Sequence, residues 1–185
     1  MANEVVQVQD NKDLLAVAGE YLTATGCNLP QEQKALFLNA CVAYKLNPFK
    51  REIYAIPFKD KFNIIVGFET YLKRAERTGK LSGWKVWTEG QGADIKAVIE
   101  IHRKDFEFPF VHEVYLAEYS TGQAMWAKAP KTMIKKVAMS QGFRLCFPDE
   151  LGGLPYTHEE IIETLENETA NQITEKIPRN ELTEF

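Results

Sequence analysis

Apolar residues recur at helical spacing near both ends of the chain and alternate with polar ones in its middle, and these two periods divide it into elements. Asp10 to Tyr21 reads as a short amphipathic helix, with Asp10 or Asn11 as N-cap and Leu14, Leu15, Ala18 and Leu22 on one face. Pro30 to Lys45 is a stronger helix, opened by proline, with Leu36, Leu38, Ala40, Cys41 and Tyr44 at near-helical spacings. Asn47-Pro48 ends it, because a residue before proline avoids the helical region. Glu52 to Phe58 and Phe62 to Phe68 are rich in β-branched and aromatic residues, and Lys59-Asp60-Lys61 between them predicts a hairpin. Glu69 to Thr78 is helical and stops at Gly79.

Trp84 to Thr88, Ile95 to Arg103 and Phe110 to Glu118 alternate or run apolar as strands do, with turns at Gly90-Gln91-Gly92 and around Asp105 to Pro109. Pro130 to Phe147 is a second long helix, closed near Pro148. Thr157 to Glu168 predicts a last helix, with Thr157 and Glu160 as a capping box. Helices around a central block of antiparallel strands, with one long packed helix, define an α+β fold. Residues 1–165 are expected to form a single domain, and 166–185 a loosely ordered acidic tail.

Charge alters this picture. The chain of 185 residues carries a formal net charge of −4, but its distribution is uneven. Tyr44 to Lys85 holds ten Lys/Arg against four Asp/Glu. Trp126 to Phe147 holds five basic residues and no acid, whereas Pro148 to Phe185 holds ten acids against two bases. Two basic blocks therefore sit in an acidic frame. No run approaches the roughly 18 apolar residues of a membrane span, and the N-terminus lacks the charged and apolar regions of a signal peptide. The widely spaced Cys27, Cys41 and Cys146 suit reduced thiols in a cytosol better than a disulfide framework or zinc site.

On the helix from Pro130, Ile134, Ala138, Gln141 and Leu145 share one face, with Met133 and Val137 at its edge. Lys131 and Lys135 lie one turn apart on the roughly opposite face, with Lys136 nearby. Arg144 falls nearer the core boundary, where it reaches a groove between helix and sheet or pairs with a buried acid. The helix from Glu69 repeats the scheme with Lys73, Arg77 and Lys80, while Tyr71, Leu72 and Ala75 face inward. Lys59 and Lys61 arm the hairpin tip, and Arg51 stands at its start. Such cations neutralise phosphates without reading sequence. Most of the interleaved aromatics suit a core, but Trp126, in a polar segment just before the basic helix, is the ring expected to stack on a base.

Enzyme motifs are sparse. No GxxxxGK[ST] loop cradles a triphosphate, and no HExxH, paired CxxC or GxSxG occurs. Glu100 and His102 share one strand face and, with His112 and Glu113, supply metal-type donors. Asp94 and Lys96 give that strand a loose likeness to a nuclease core. Exposed polar residues on a half-buried strand produce the same pattern.

The run Leu46-Asn47-Pro48-Phe49-Lys50-Arg51-Glu52-Ile53-Tyr54-Ala55-Ile56-Pro57, followed by Val66-Gly67-Phe68, resembles the RecT/Redβ (Bet) family of phage recombinases. So does Trp126 followed by Pro130-Lys131-Thr132-Met133-Ile134-Lys135-Lys136 and by Gln141, Arg144 and Leu145. The resemblance implies an ATP-independent protein that binds single-stranded DNA and anneals it to its complement, without cofactor or catalytic residues. It implies assembly into rings or filaments, with DNA in a positive groove between sheet and helix. By position, Arg51, Lys59, Lys73, Lys131, Gln141 and Arg144 resemble that family's groove residues, while Lys61, Lys135, Lys136 and Trp126 join them on charge and location.

Two departures stand out. Val137 occupies a position that is basic in the Redβ branch, and the acidic tail stands where relatives carry a helical module that docks a partner exonuclease and host single-strand binding protein. The rival readings are a metal-dependent nuclease built on Glu100 and His102, and a non-catalytic adaptor acting through the acidic tail.

Overall fold

A computed structural model describes residues 2–58 and 61–161, with side chains at 10–56, 62–92 and 94–161. The mixed α+β architecture expected from the sequence is the one observed. Helix α1 (Ala2–Ala24) packs on α2 (Gln31–Ala43), where Ala18 and Leu22 meet a buried Phe37 and Tyr21 stacks on Phe37 at 6.5 Å. The helix around Asp10 thus begins earlier than its apolar face announces.

The Leu46–Glu52 run is a capped turn. Leu46 and Pro48 are buried, and the Asn47 side chain accepts from the amides of Phe49 and Lys50 at 2.9 and 3.3 Å. Arg51 takes a left-handed backbone (φ 59), and the buried Glu52 carboxylate accepts the Asn47 amide at 3.0 Å. This device fixes how α2 hands the chain to β1 (Ile53–Phe58), which pairs antiparallel with β2 (Lys61–Val66). Gly67 then caps α3 (Phe68–Arg77), whose Tyr71 and Ala75 are fully buried.

The second sheet has the order β3 (Leu81–Glu89), β4 (Lys96–Arg103), β5 (Phe110–Tyr115), antiparallel throughout. Strand β5 is shorter than the apolar run predicts, because Leu116–Tyr119 turns into a short helix, α4. Helix α5 (Ala124–Lys128) leads into α6 (Pro130–Cys146), and α7 (Pro148–Leu151) follows it. The last predicted helix begins as a 3-10 turn, His158–Glu160, and its continuation and the acidic tail lie outside the described residues. No helix among the described residues is long and apolar enough to cross a membrane.

Helix α6 is the axis of the core. Ala97, Ile99 and Ile101 of β4 are fully buried against it, and Trp84 of β3 meets Phe143 edge-on at 5.7 Å. Its buried arc includes Val137, Gly142, Phe143 and Cys146 as well as Ile134 and Ala138, wider than one amphipathic stripe. Leu145, expected on the core face, is exposed, because the last turn of α6 buries Phe143 and Cys146 instead. Gly142 permits the close approach: a Cβ there would stand 2.5 Å from Ile99 Cγ2. Gly142→Val should therefore lower stability by about 1–3 kcal/mol through overpacking, measured by urea unfolding; an unchanged midpoint would show that α6 and β4 can separate freely. Cys41 and Cys146 are buried thiols, pushed up to about 12 and about 11, chiefly by burial.

Candidate nucleic-acid interface

The N-terminal end of α6 collects positive charge. Pro130 opens the helix without a side-chain cap, and its first turn contains no acid. A helix N-terminus carries a partial positive charge, which favours an anion. The amides of Thr132 and Met133 here donate to the Ala129 carbonyl, so the lysine side chains are what the end of α6 offers to a phosphate. Lys128 ends α5 just before it, and Lys131 and Lys135 follow one turn apart, Lys131 exposed and Lys135 half-buried. None of these lysines has a carboxylate partner among the described residues. Lys136, next along, lies over the Phe68 ring at 5.6 Å and pairs with Glu159 at 3.1 Å.

A chain of neighbours leads from Lys136 to the Arg51 turn. Phe68 follows Gly67, where a Cβ would come within 3.3 Å of the Arg51 carbonyl oxygen. Arg51 is exposed there, and Lys73, 45% exposed, is 3.9 Å from the buried Glu52. Arg51, Lys73, Lys131, Lys135 and Lys136 thus belong to elements that meet at the start of α3. Lys59 lies outside the described residues, and only the backbone of Lys61, the first residue of β2, is described.

Three expected site residues are otherwise engaged. Trp126 is 5% exposed and belongs to the core, so it offers no open face to a base. The polar Ser120, Thr121 and Gln123 before it suggest exposure, but α5 turns the indole towards the apolar interior. The Gln141 amide links elements, its oxygen 2.9 Å from His112 Nε2 of β5 and its nitrogen donating to the Tyr119 hydroxyl of α4 at 2.7 Å. Arg144 takes the buried-acid alternative rather than the groove. Its guanidinium pairs with Glu160, whose side chain is 3% exposed, donates to the Tyr71 hydroxyl at 2.9 Å, and lies 4.5 Å from the Tyr156 ring centre.

That network is complete around Glu160, a residue whose capping role was legible but whose ion pair was not. Its Oε2 accepts the Thr157 amide at 3.0 Å and the Thr157 hydroxyl at 2.9 Å, and Tyr71 in turn donates to the Pro155 carbonyl at 2.6 Å. Burial pushes the Tyr71 hydroxyl well above its usual range, although Arg144 pulls the other way, so it remains a donor. Burial opposes the Arg144 charge, but Glu160 and then Tyr71 outweigh it and hold the guanidinium above its ordinary value.

The outer face of the three-stranded sheet is electrically different. Lys85 pairs with Glu100 at 3.0 Å, and Lys96 pairs with Glu113 at 2.8 Å and Glu89 at 3.5 Å. His102 Nε2 is 2.7 Å from the same Glu100 carboxylate. Those partners hold the Glu100 carboxyl below its usual range, Lys85 first and His102 next. The donors of the nuclease reading do not converge, since His112 faces α6 while Glu100, His102 and Glu113 occupy the opposite sheet face. Among the described residues no three His, Cys, Asp or Glu side chains gather as a metal site.

The RecT family model matches residues 2–174. An uncharacterized protein of Ureaplasma parvum serovar 3, UU154, is 31% identical over 157 residues, covering 82% of this chain and 72% of its own length. The chain belongs to the RecT family.

Proposed function

We propose that this protein binds single-stranded DNA through its phosphates along the basic end of α6 and anneals it to a complementary strand, without ATP. The observation that carries the reading is the contrast between two surfaces. The lysines of the outer sheet face are neutralised by Glu89, Glu100 and Glu113, while Lys128, Lys131 and Lys135 lie towards the N-terminal end of α6, which has no side-chain cap, with no carboxylate on them among the described residues. Arg51, Lys73 and Lys136 extend the basic region towards the β1–β2 hairpin, where Lys59 and Lys61 would add to it. Family membership supports recombination by annealing as the activity.

Contacts to the backbone leave base edges free to pair. A basic groove reduces repulsion between two phosphate chains, and ordered bases lose less entropy on pairing. Weak binding per subunit becomes strong on a long strand when subunits assemble, and repeated head-to-tail contacts produce rings or open filaments. Assembly would align the basic regions of successive copies, and a phage exonuclease and a host single-strand binding protein would be further partners in a host cytosol.

The test is annealing of two complementary labelled oligonucleotides without nucleotide or metal, across a salt series. Acceleration that fades with salt is expected. If about four phosphates are contacted per subunit, log affinity falls with log salt at a slope near −3. No acceleration at any salt would sink the annealing reading.

A further inference from the structure

The chain crosses its own basic helix. Residues 155–160 form a strap over the α3–α6 seam, held at Pro155 by the Tyr71 hydroxyl and at Tyr156 by the Val66 amide, which donates to its carbonyl at 3.1 Å. Thr157 is fully buried, and Glu160 is locked on Arg144. With the strap anchored there, the adjacent Glu159 projects its carboxylate onto Lys136, two turns nearer the N-terminus of α6. The two acids thus meet cations roughly 12 Å apart along the helix.

The two pairs differ in what they do. Arg144 and Glu160 are 14% and 3% exposed and satisfy each other within a closed hydrogen-bond network. Lys136 is 31% exposed and Glu159 12%, they meet at 3.1 Å, and no further hydrogen bond of that carboxylate is present among the described residues, so this pair opens to solvent on its lysine side. A partly solvated pair of this kind is weak and exchangeable. Lys136 also directly follows Lys135, the inner of the lysines without a carboxylate partner among the described residues.

We infer that Glu159 is an in-chain stand-in for a phosphate: it occupies Lys136 in the unliganded protein, and a DNA phosphodiester displaces it, extending the track from Lys131 and Lys135 to Lys136. The inference rests on the DNA-binding reading above. The strap is the anchor that gives Glu159 its position, and the Arg144–Glu160 pair stays closed. Such an arrangement screens Lys136 from adventitious anions and weakens short ligands more than long ones, which engage several contacts at once.

The experiment is a double-mutant cycle on binding of a labelled oligothymidine at about 0.1 M salt. It uses Glu159→Gln, which keeps the side-chain shape, and Lys136→Met, which keeps an apolar stem on Phe68. Glu159→Gln alone should tighten binding about two- to five-fold, the strength of a partly exposed pair, and should have no effect when Lys136 is already Met. Equal tightening in both backgrounds would mean general removal of negative charge and would overturn the inference. No tightening, in a protein whose binding still depends on Lys131 and Lys135, would overturn it while leaving the DNA-binding reading intact. No binding by the wild type at any salt would remove both.

Discussion

Arg144→Ala should destabilise the fold by about 3–5 kcal/mol, because it strands a buried carboxylate. Glu160 is 3% exposed, and after the substitution its remaining partners among the described residues are the amide and hydroxyl of Thr157. The Tyr71 hydroxyl loses a donor as well, and the strap at 155–160 loses the more buried of its two ion pairs to α6. For a chain of this length the corresponding fall in Tm is on the order of 10 °C. Urea unfolding followed by circular dichroism gives the number directly. Glu160→Gln keeps an acceptor for Thr157 but leaves the guanidinium without a countercharge, so it should be milder than Arg144→Ala. Were Arg144 instead an open groove residue, its removal would cost less than about 1 kcal/mol in stability, as exposed pairs do, and the loss would appear in DNA binding alone.

The strap shows what a linear reading can and cannot reach. The helix from Pro130 and the pairing of β1 with β2 were legible, since proline punctuation and alternating β-branched residues are local signals. The lysine pair at 131 and 135 was legible for the same reason, as it needs only helical spacing. The fate of Arg144 depends on Glu160, sixteen residues later and beyond two turns of chain, and no period links them. The capping box at Thr157 and Glu160 was visible, yet the same carboxylate also serves α6. Trp126 shows the opposite limit. Ser120, Thr121 and Gln123 just before α5 are polar, but in a five-residue helix one side chain decides the packing face, and here the indole fills the space beside α6. The break of β5 at Leu116 was hidden because a single turn of helix and an apolar strand end share their pattern over so few residues.

The placement of the DNA makes its strongest prediction at Lys131 and Lys135. Each phosphate neutralised on a single strand contributes a slope of about −0.7 in log affinity against log salt. Two contacts therefore account for about 1.4 units of slope, and at about 0.1 M salt for roughly a 25-fold difference in affinity per subunit. Lys131→Ala/Lys135→Ala should show both effects together, and the difference should close as salt approaches about 1 M. Both positions lie on helix with no ion pair among the described residues, so the variant should keep its fold and its melting temperature nearly unchanged. The matched control is Lys85→Ala/Lys96→Ala on the sheet. It removes the same formal charge, but from lysines whose fields are already cancelled by Glu100, Glu113 and Glu89. It should change binding less than two-fold, an order of magnitude below the α6 pair. Equal losses from the two variants would mean that net charge alone attracts the DNA. A larger loss from the sheet pair would move the binding surface to the opposite face of the molecule.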